Sequence, residues 1–478
     1  MNVKWEAMVM ACTTILVGKK ASTDGSTMMA RNNDMFVADT PQKIQVIPRN
    51  DHQSGKYVSN KNGFTFDYPE KAYRYQMVPN VNVEKEGIFG GSGFNEKNVG
   101  ISATESVYAN EHVLAFDPLV KTGIAEDSMV VAVLPYIDSA RHGVEYLGEI
   151  IKKSGSPEGN GVVFSDKNEV WYMEIVTGHH WVAQRIPADH YAVIANQVAQ
   201  EEIDFNDPDN FMWSEGIQEF VEKNHLNPDH EGFNFRHIFG TDSEKDRYYN
   251  TPRVWFGQRY LNPEIDQSPV SSNLPFLRKA NRKISLEDIA YILGSHYNET
   301  VYDPYGKGTE REKHLYRPIA LNRTQDSHIM QVRNHVPEEL STIMWVCLGV
   351  PAFNPHLPFY GNATDTDPSF NNTSLDWNLS DGYWMYRTIT ALVEGHYSEL
   401  IESDNDFVKD CRENLIRLVA ETDEKAQALQ GAELTAFLTK RNHEIVEAMK
   451  VKAMKYIGQL VKDSIDLSKL TYKMDINL

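Results

Sequence analysis

The sequence is poor in cysteine and has no long apolar run. Its 478 residues include only 3 cysteines, at positions 12, 347 and 411, which are too few and too scattered for a disulfide framework. No stretch approaches the roughly 18 uninterrupted apolar residues of a membrane-spanning helix, and residues 1–11 lack the apolar segment of a secretory signal. We therefore expect a soluble, cytoplasmic protein without membrane contacts.

Positive charge is also scarce. Lys and Arg number 47 against 67 Asp and Glu, which gives a formal net charge of -20. A nucleic acid partner requires basic patches, so this balance argues against one. The length, with 41% hydrophobic residues, permits one large domain or a few ordinary ones. We find no repeat of fixed period.

A β-hairpin is predicted close to the start of the chain. Residues 12–17 are apolar or β-branched, an Asp-Gly turn signal follows at 24–25, and residues 27–34 have the length of a second strand. Paired strands lie about 4.8 Å apart, so the second strand returns to Cys12.

This hairpin brings Arg31 and Asp34 near the thiol of Cys12. Residues three apart in a regular strand face opposite ways, so both converge on Cys12 only if the strand bends or ends there. If residues 1–11 are removed, Cys12 gains an α-amine with an ordinary pKa of about 7.7 to 8 beside a thiol of about 8.5. Arg31 would then favour the thiolate and Asp34 would hold the amine, whereas the alternative is an inert buried thiol.

Cys12-Thr13-Thr14 with Arg31-Asn32-Asn33-Asp34 resembles the start of the dipeptidase A family of lactic acid bacteria. That family belongs to the N-terminal nucleophile hydrolases, which also include penicillin V acylase and bile salt hydrolase. Further matching segments, in order, are residues 93–97, 174–181, 191–197, 249–255 and 316–319. The resemblance implies an α+β protein with the four-layer αββα fold, in which two antiparallel sheets stack between helical layers, and with additional C-terminal helices.

The resemblance also implies a cysteine dipeptidase that hydrolyses a broad range of dipeptides through an acyl-enzyme and needs no cofactor. The residues that it assigns to the site are Cys12, Arg31, Asp34, Asn196 and Arg253. Judged alone, Arg253 is an ordinary surface arginine, and Arg247 or Arg259 would take its place if the chain bent differently.

Asn196 follows a predicted strand over residues 191–194. An amide at a strand end can donate to the oxyanion of a tetrahedral intermediate, a contribution worth roughly 3 kcal/mol. Judged alone, Asn196 is an ordinary turn former. In the acylase relatives another Asn lies near the end of the strand predicted here at 99–104, where this chain has Thr104 and Glu105, so that role stays open.

The rest of the chain gives a coarser prediction. The strands expected between residues 160 and 195 are 161–164, 169–175, 181–183 and 191–194, and their close spacing predicts a meander. We expect helices over 139–152 and 286–293, the latter capped by Ser285. The Pro-rich segment 351–358 predicts a surface loop, and residues 383–460 have a helical pattern.

We predict that the chain is divided into three regions. Residues 1–11 form a propeptide that is removed, residues 12–380 the catalytic domain, and residues 381–478 a helical region packed on that domain. We expect a homo-oligomer. The sequence gives neither the subunit number nor the side-chain preference. It also leaves open which groups bind the amine and carboxylate of the substrate, and whether the leader is removed by self-cleavage or by another protease.

Three alternatives to a cysteine dipeptidase stay open. An amidase acting on N-acyl amino acids would use the same chemistry, and a non-catalytic scaffold would keep residues 1–11. A metallodipeptidase would need ligands that the sequence does not supply. Adjacent residues such as His179 and His180 face opposite ways in a strand, and the zinc-protease pattern at His443 has Glu447 in place of its second His.

Overall fold

Two antiparallel sheets form the centre of the protein, in a computed structural model that describes residues 11–472. The strands are β1 (Ala11–Val17), β2 (Thr27–Asp34), β3 (Gln45–Ile47), β4 (Lys56–Val58), β5 (Thr65–Asp67), β6 (Tyr75–Met77), β7 (Ser92–Phe94), β8 (Gly100–Ser106), β9 (Asn160–Ser165), β10 (Val170–Ile175), β11 (Trp181–Arg185), β12 (Tyr191–Ile194), β13 (Phe211–Trp213), β14 (Leu277–Arg278), β15 (Thr324–Val332), β16 (Thr342–Leu348) and β17 (Leu357–Tyr360).

The helices lie mainly outside these sheets. They are α1 (Val83–Glu86), α2 (Glu111–Phe116), α3 (Glu126–Val133), α4 (Ala140–Ser154), α5 (Ile217–Lys223), α6 (Phe235–Phe239), α7 (Glu244–Tyr249), α8 (Thr251–Leu261), α9 (Leu286–Leu293), α10 (Glu310–Lys313), α11 (Pro368–Asn371), α12 (Gly382–Gly395), α13 (Tyr397–Ala426) and α14 (Gly431–Asp466). No helix within residues 11–472 is long and apolar enough to cross a membrane.

The two large sheets stack face to face. One has the order β14-β12-β1-β2-β15-β16-β17 and the other the order β13-β11-β10-β9-β8-β7. Strands β1 and β2 pack against β8 and β9, while α3 and α4 cover the outer side of the second sheet and α8, α9 and α12 that of the first. This arrangement confirms the predicted α+β fold with four αββα layers.

The predicted hairpin is present at the centre of the first sheet. Ala11 pairs with Asp34 and Cys12 with Asn33, and the turn is closed where Ser26 N donates to Asp24 Oδ1 at 3.0 Å. Strand β2 does not end before Asp34, and every one of its side chains is buried. Apart from Ala11, the predicted leader over residues 1–11 lies outside the described residues.

The predicted meander is wrong in its last strand. Strands β9, β10 and β11 are neighbours in the second sheet, but β12 crosses to the first sheet and pairs with β1, with Thr14 opposite Ile194. All four side chains of β12 are buried, so this strand needs cover on both faces and finds it beside β1. The crossing carries Asn196 to Cys12.

Two predicted helices appear with their caps. Helix α4 begins after Ser139, whose side chain accepts from His142 N, and α9 begins after Ser285, which forms a capping box with Asp288.

The Pro-rich segment is not a surface loop. Residues 351–358 are largely buried, and Leu357–Tyr360 forms the edge strand β17, a position where Pro358 costs no ladder hydrogen bond. Helix α14 covers this edge, where Tyr360 N donates to Asn442 Oδ1 at 3.0 Å. The C-terminal helices therefore share a core with the first sheet, although the division into domains stays a prediction.

Candidate active site

The thiol of Cys12 lies beside the guanidinium of Arg31. Arg31 Nη1 donates to Cys12 Sγ at 3.0 Å, and both side chains are buried. The guanidinium also donates to four oxygens of the facing sheet, which are Gly91 O at 3.0 Å, Ala103 O at 2.9 Å, Thr104 O at 2.8 Å and Ser102 Oγ at 3.2 Å. A cation fixed in this way favours the thiolate form of cysteine.

Asn196 and Arg253 hold the backbone of Cys12. Cys12 N donates to Asn196 Oδ1 at 3.2 Å, Arg253 Nη1 donates to Cys12 O, and Arg253 Nη2 donates to Asn196 Oδ1 at 2.8 Å. One N–H of the Asn196 amide donates to Ser106 O at 3.0 Å. The Asn196 side chain therefore links Ser106 of the facing sheet to the backbone of Cys12.

Arg253 is the arginine that the fold brings to the site. It is buried in α8, where Tyr249 O and Asn250 Oδ1 each accept from it at 2.8 Å. The two alternatives lie elsewhere. Arg247 pairs with Asp242 near the surface, and Arg259 stacks on Trp255.

Asp34 is buried at the end of β2 and belongs to a second set of contacts. Its carboxylate accepts from Arg317 Nη2 and from Thr324 Oγ1. Its backbone lies opposite Ala11, the residue that precedes Cys12. The Cys12 nitrogen is an amide that donates to Asn196. Arg31 contacts the thiol of Cys12, whereas the backbone of Asp34 lies beside the preceding residue, Ala11.

Sequence reasoning missed a buried Ser-His-Asp series behind Arg31. Ser102 Oγ, which accepts from Arg31 Nε, lies 2.9 Å from His328 Nε2, and His328 Nδ1 lies 2.9 Å from Asp326 Oδ1. Asn33 Nδ2 donates to Asp326 Oδ2 at 2.8 Å. Burial lowers the pKa of His328, with Asp326 opposing, and no local motif marks a contact between residues 226 positions apart.

Glu126 was also missed. Its carboxyl is buried 4.0 Å from Arg31 Nη1 and accepts from Thr104 N at 3.3 Å. Burial raises its pKa to about 8, although Arg31 opposes the rise. Thr104 itself gives its carbonyl to Arg31 and its hydroxyl to Asn160 Oδ1 at 2.8 Å, so it supports the guanidinium. Arg317 was noted in a matching segment but given no role.

Stacked antiparallel sheets between helical layers, with a buried cysteine at the start of a central strand, define the fold class of the N-terminal nucleophile hydrolases. Comparison with known families is more specific, since the model of peptidase family C69 matches residues 11–410. The chain belongs to this family and is a peptidase, which confirms the resemblance seen in the sequence.

Individual relatives agree with this assignment. The chain is 55% identical to a "Probable dipeptidase" of Latilactobacillus sakei over 98% of both chains. It is 37% identical to "Dipeptidase A" of Lactobacillus helveticus over 97% of this chain and 98% of that protein. Among solved structures, a conjugated bile acid hydrolase from Clostridium perfringens is similar at 17% identity with a TM-score of 0.36, covering 77% of this chain and 95% of that one.

Proposed function

We propose that the mature protein is a cysteine dipeptidase in which Cys12 is both nucleophile and base. The observation that carries this proposal is the 3.0 Å contact of Arg31 Nη1 with Cys12 Sγ at the start of a central strand. Membership of peptidase family C69 supports a hydrolytic role, and the relatives named dipeptidases support the substrate class.

The reaction begins when the free α-amine of Cys12 takes the thiol proton. The thiolate attacks the carbonyl carbon of the dipeptide, and the oxyanion is stabilised by Asn196 and by backbone N–H groups. The peptide C–N bond then breaks as the leaving amine receives the proton, which leaves a thioester on Cys12. Water, deprotonated by the same amine, hydrolyses the thioester and releases the N-terminal amino acid of the dipeptide.

Maturation must precede this chemistry, because an amide nitrogen cannot accept a proton. We propose self-cleavage, in which Cys12 Sγ attacks the carbonyl carbon of Ala11, the bond between Ala11 C and Cys12 N breaks, and the thiol proton passes to the freed nitrogen. Water then hydrolyses the thioester, which frees residues 1–11 and restores the thiol. Ala11 and Asp34 are paired in the ladder of β1 and β2, which supports a role of Asp34 in this cleavage. If translation instead starts at Met8 or Met10, trimming by another protease would expose Cys12.

Mass analysis of purified, active protein tests the proposal. The expected N-terminus is Cys12, and a Cys12→Ala variant should keep its leader. An active species that begins at any other residue would rule out the α-amine as base. A leader that the Cys12→Ala variant loses would instead point to a separate protease.

Broad specificity, homo-oligomer formation and a cytoplasmic location stay predictions. Rates on a panel of dipeptides and N-acyl amino acids would test the specificity and separate the dipeptidase from an amidase. Light scattering of the purified protein would give the subunit number.

A further inference from the structure

Three cations surround the ring of Tyr249, and one of them, Arg253, also contacts the backbone of Cys12. Lys245 Nζ lies 5.4 Å, Arg253 Cζ 5.1 Å and Arg317 Cζ 5.3 Å from the centre of this ring. Cations are attracted to the face of an aromatic ring, but they also repel one another. Their convergence favours an anion at this place.

Two of these cations, Lys245 and Arg317, border a cavity of about 480 Å³, here called the Tyr249 pocket. The side chains that define it are Lys245, Tyr248, Tyr249, Lys313, Tyr316 and Arg317. Its volume is in the range of small-molecule sites. Its tyrosines supply apolar walls with polar tips, which suit an amino-acid side chain of varied type.

The pocket lies one layer of residues from Cys12. On one side, Tyr249 O accepts from Arg253 Nε at 2.8 Å, and Arg253 Nη1 donates to Cys12 O. On the other side, Arg317 pairs with Asp34, whose backbone is opposite Ala11. Two series of contacts therefore link the wall of the pocket to Cys12 and to the residue that precedes it.

Lys245 is the cation of this pocket that is available for a ligand. Lys313 pairs with Glu310 at 3.2 Å, and Arg317 pairs with Asp34. Within residues 11–472 no carboxylate forms an ion pair with Lys245, whose ammonium instead lies 4.3 Å from the ring centre of Tyr108 and 3.3 Å from its hydroxyl oxygen. An exposed lysine fixed by aromatic faces keeps its charge free for an anion.

We propose that the Tyr249 pocket binds the C-terminal residue of the dipeptide, with Lys245 pairing with its free α-carboxylate. This inference rests on the proposed function. In a dipeptide the carboxylate is one residue from the scissile bond, a span of about 4 Å, so its partner must lie near the nucleophile. The contacts of Arg253 and Arg317 connect this pocket to Cys12 and to its neighbour Ala11. A longer peptide presents a neutral amide at that position, which would make Lys245 a determinant of substrate length.

The experiment compares mature enzyme on one dipeptide as the free acid and as the C-terminal amide. The Lys245→Gln variant should raise KM for the acid about tenfold with little change in kcat, because one charged pair is lost, and should leave the amide kinetics unchanged. The Lys245→Arg variant should keep the preference for the acid. Lys97→Gln is the matched control, since Lys97 Nζ lies 5.2 Å above the ring of Tyr73 in a similar contact.

Two results would overturn the inference while leaving the dipeptidase intact. One is a wild-type enzyme that cleaves acid and amide equally well. The other is a Lys245→Gln variant that loses the same factor on both substrates, or loses no more on the acid than Lys97→Gln does. A folded wild-type protein that begins at Cys12 and cleaves neither substrate would instead contradict the proposed function itself.

Discussion

Two cysteines of the first sheet show what distinguishes a reactive thiol from an inert one. Cys12 on β1 and Cys347 on β16 are 0% and 1% exposed, so burial does not separate them. Burial raises the pKa of Cys347, whose sulfur lies 3.9 Å from Gly349 O. Cys12 Sγ has the Arg31 guanidinium at 3.0 Å. A buried thiol therefore becomes a candidate nucleophile only where a fixed cation compensates for lost water.

The largest expected effect separates these two cysteines directly. The Cys12→Ala variant should lose at least about 1000-fold in kcat/KM, or about 4 kcal/mol of barrier, with its fold kept. Cys347→Ala should keep near-normal kcat/KM and lose stability instead, because it leaves a small cavity. Steady-state rates and thermal unfolding of both variants provide the check. A Cys12→Ala enzyme with a tenth of normal activity would show that the nucleophile lies elsewhere.

Removing the Arg31 cation should make the thiol of Cys12 as hard to ionise as that of Cys347. We expect Arg31→Gln to lower kcat/KM about 100-fold, close to 3 kcal/mol, and to move the thiol limb of the pH profile to higher pH. Arg333→Gln is the control, because Arg333, directly after β15, is also buried but pairs with Asp423. If both variants lost stability and activity alike, the contact of Arg31 with the thiol would be structural only.

Asp34→Asn tests the base rather than the nucleophile. Without a nearby anion the ammonium form of the Cys12 α-amine is less stable, so its pKa should fall and the corresponding limb of the profile should move to lower pH. We expect a loss of about tenfold in kcat. The same variant should slow removal of the leader. A pH profile identical to that of the wild type would remove Asp34 from the mechanism.

The Ser-His series predicts a smaller effect. His328→Gln should reduce kcat by about fivefold, since Arg31 keeps its carbonyl partners while losing a firmly placed Ser102. His356 is a matched control, because its Nε2 lies 2.9 Å from Ser327 Oγ on the same strand. His356→Gln should destabilise the protein without shifting the pH profile. Equal kcat in the two variants would contradict a positioning role for His328.

The smallest effect on kcat/KM is expected from Glu126, and it should be seen at alkaline pH. Its pKa of about 8 lies above the ordinary 4.5, so the folded state binds the extra proton, and the free energy of unfolding falls as pH rises from 4.5 to 8. Above that pH an anion 4.0 Å from Arg31 should lower kcat/KM about twofold. Glu126→Gln should remove both changes. Glu174→Gln is the control, because Glu174 is buried with a pKa of about 7, and it should alter stability alone.

Local signals explain what the sequence could predict. The Asp-Gly turn and the apolar run after Cys12 determine the hairpin, and Ser285 determines the start of α9, because each depends on neighbours a few residues away. The four-layer fold and the role of Asn196 came from resemblance. The crossing of β12 was not predictable from spacing, since a strand buried on both faces carries no mark of the sheet that it joins.

The site residues that the sequence did not predict depend on contacts between distant parts of the chain. His328 and Arg317 act through partners hundreds of positions away, and a lone histidine in a strand has no periodicity that points to a partner. Glu126 is similar, because its raised pKa depends on burial where α3 packs on the second sheet. Such contacts follow from the packing of the two sheets, which sequence patterns give only in outline.

The central position of β1 and β2 has a consequence for synthesis of the protein. The hairpin emerges from the ribosome before the other strands of its sheet, its neighbours in that sheet are β12 and β15, and Thr324 comes 290 residues after Asp34. At about 5 to 20 residues per second, β2 waits roughly 15 to 60 s for its partner strand. The β2 edge of this apolar hairpin stays unpaired during that time, and the β1 edge stays unpaired until β12 has been made, which makes the nascent chain a substrate for chaperones.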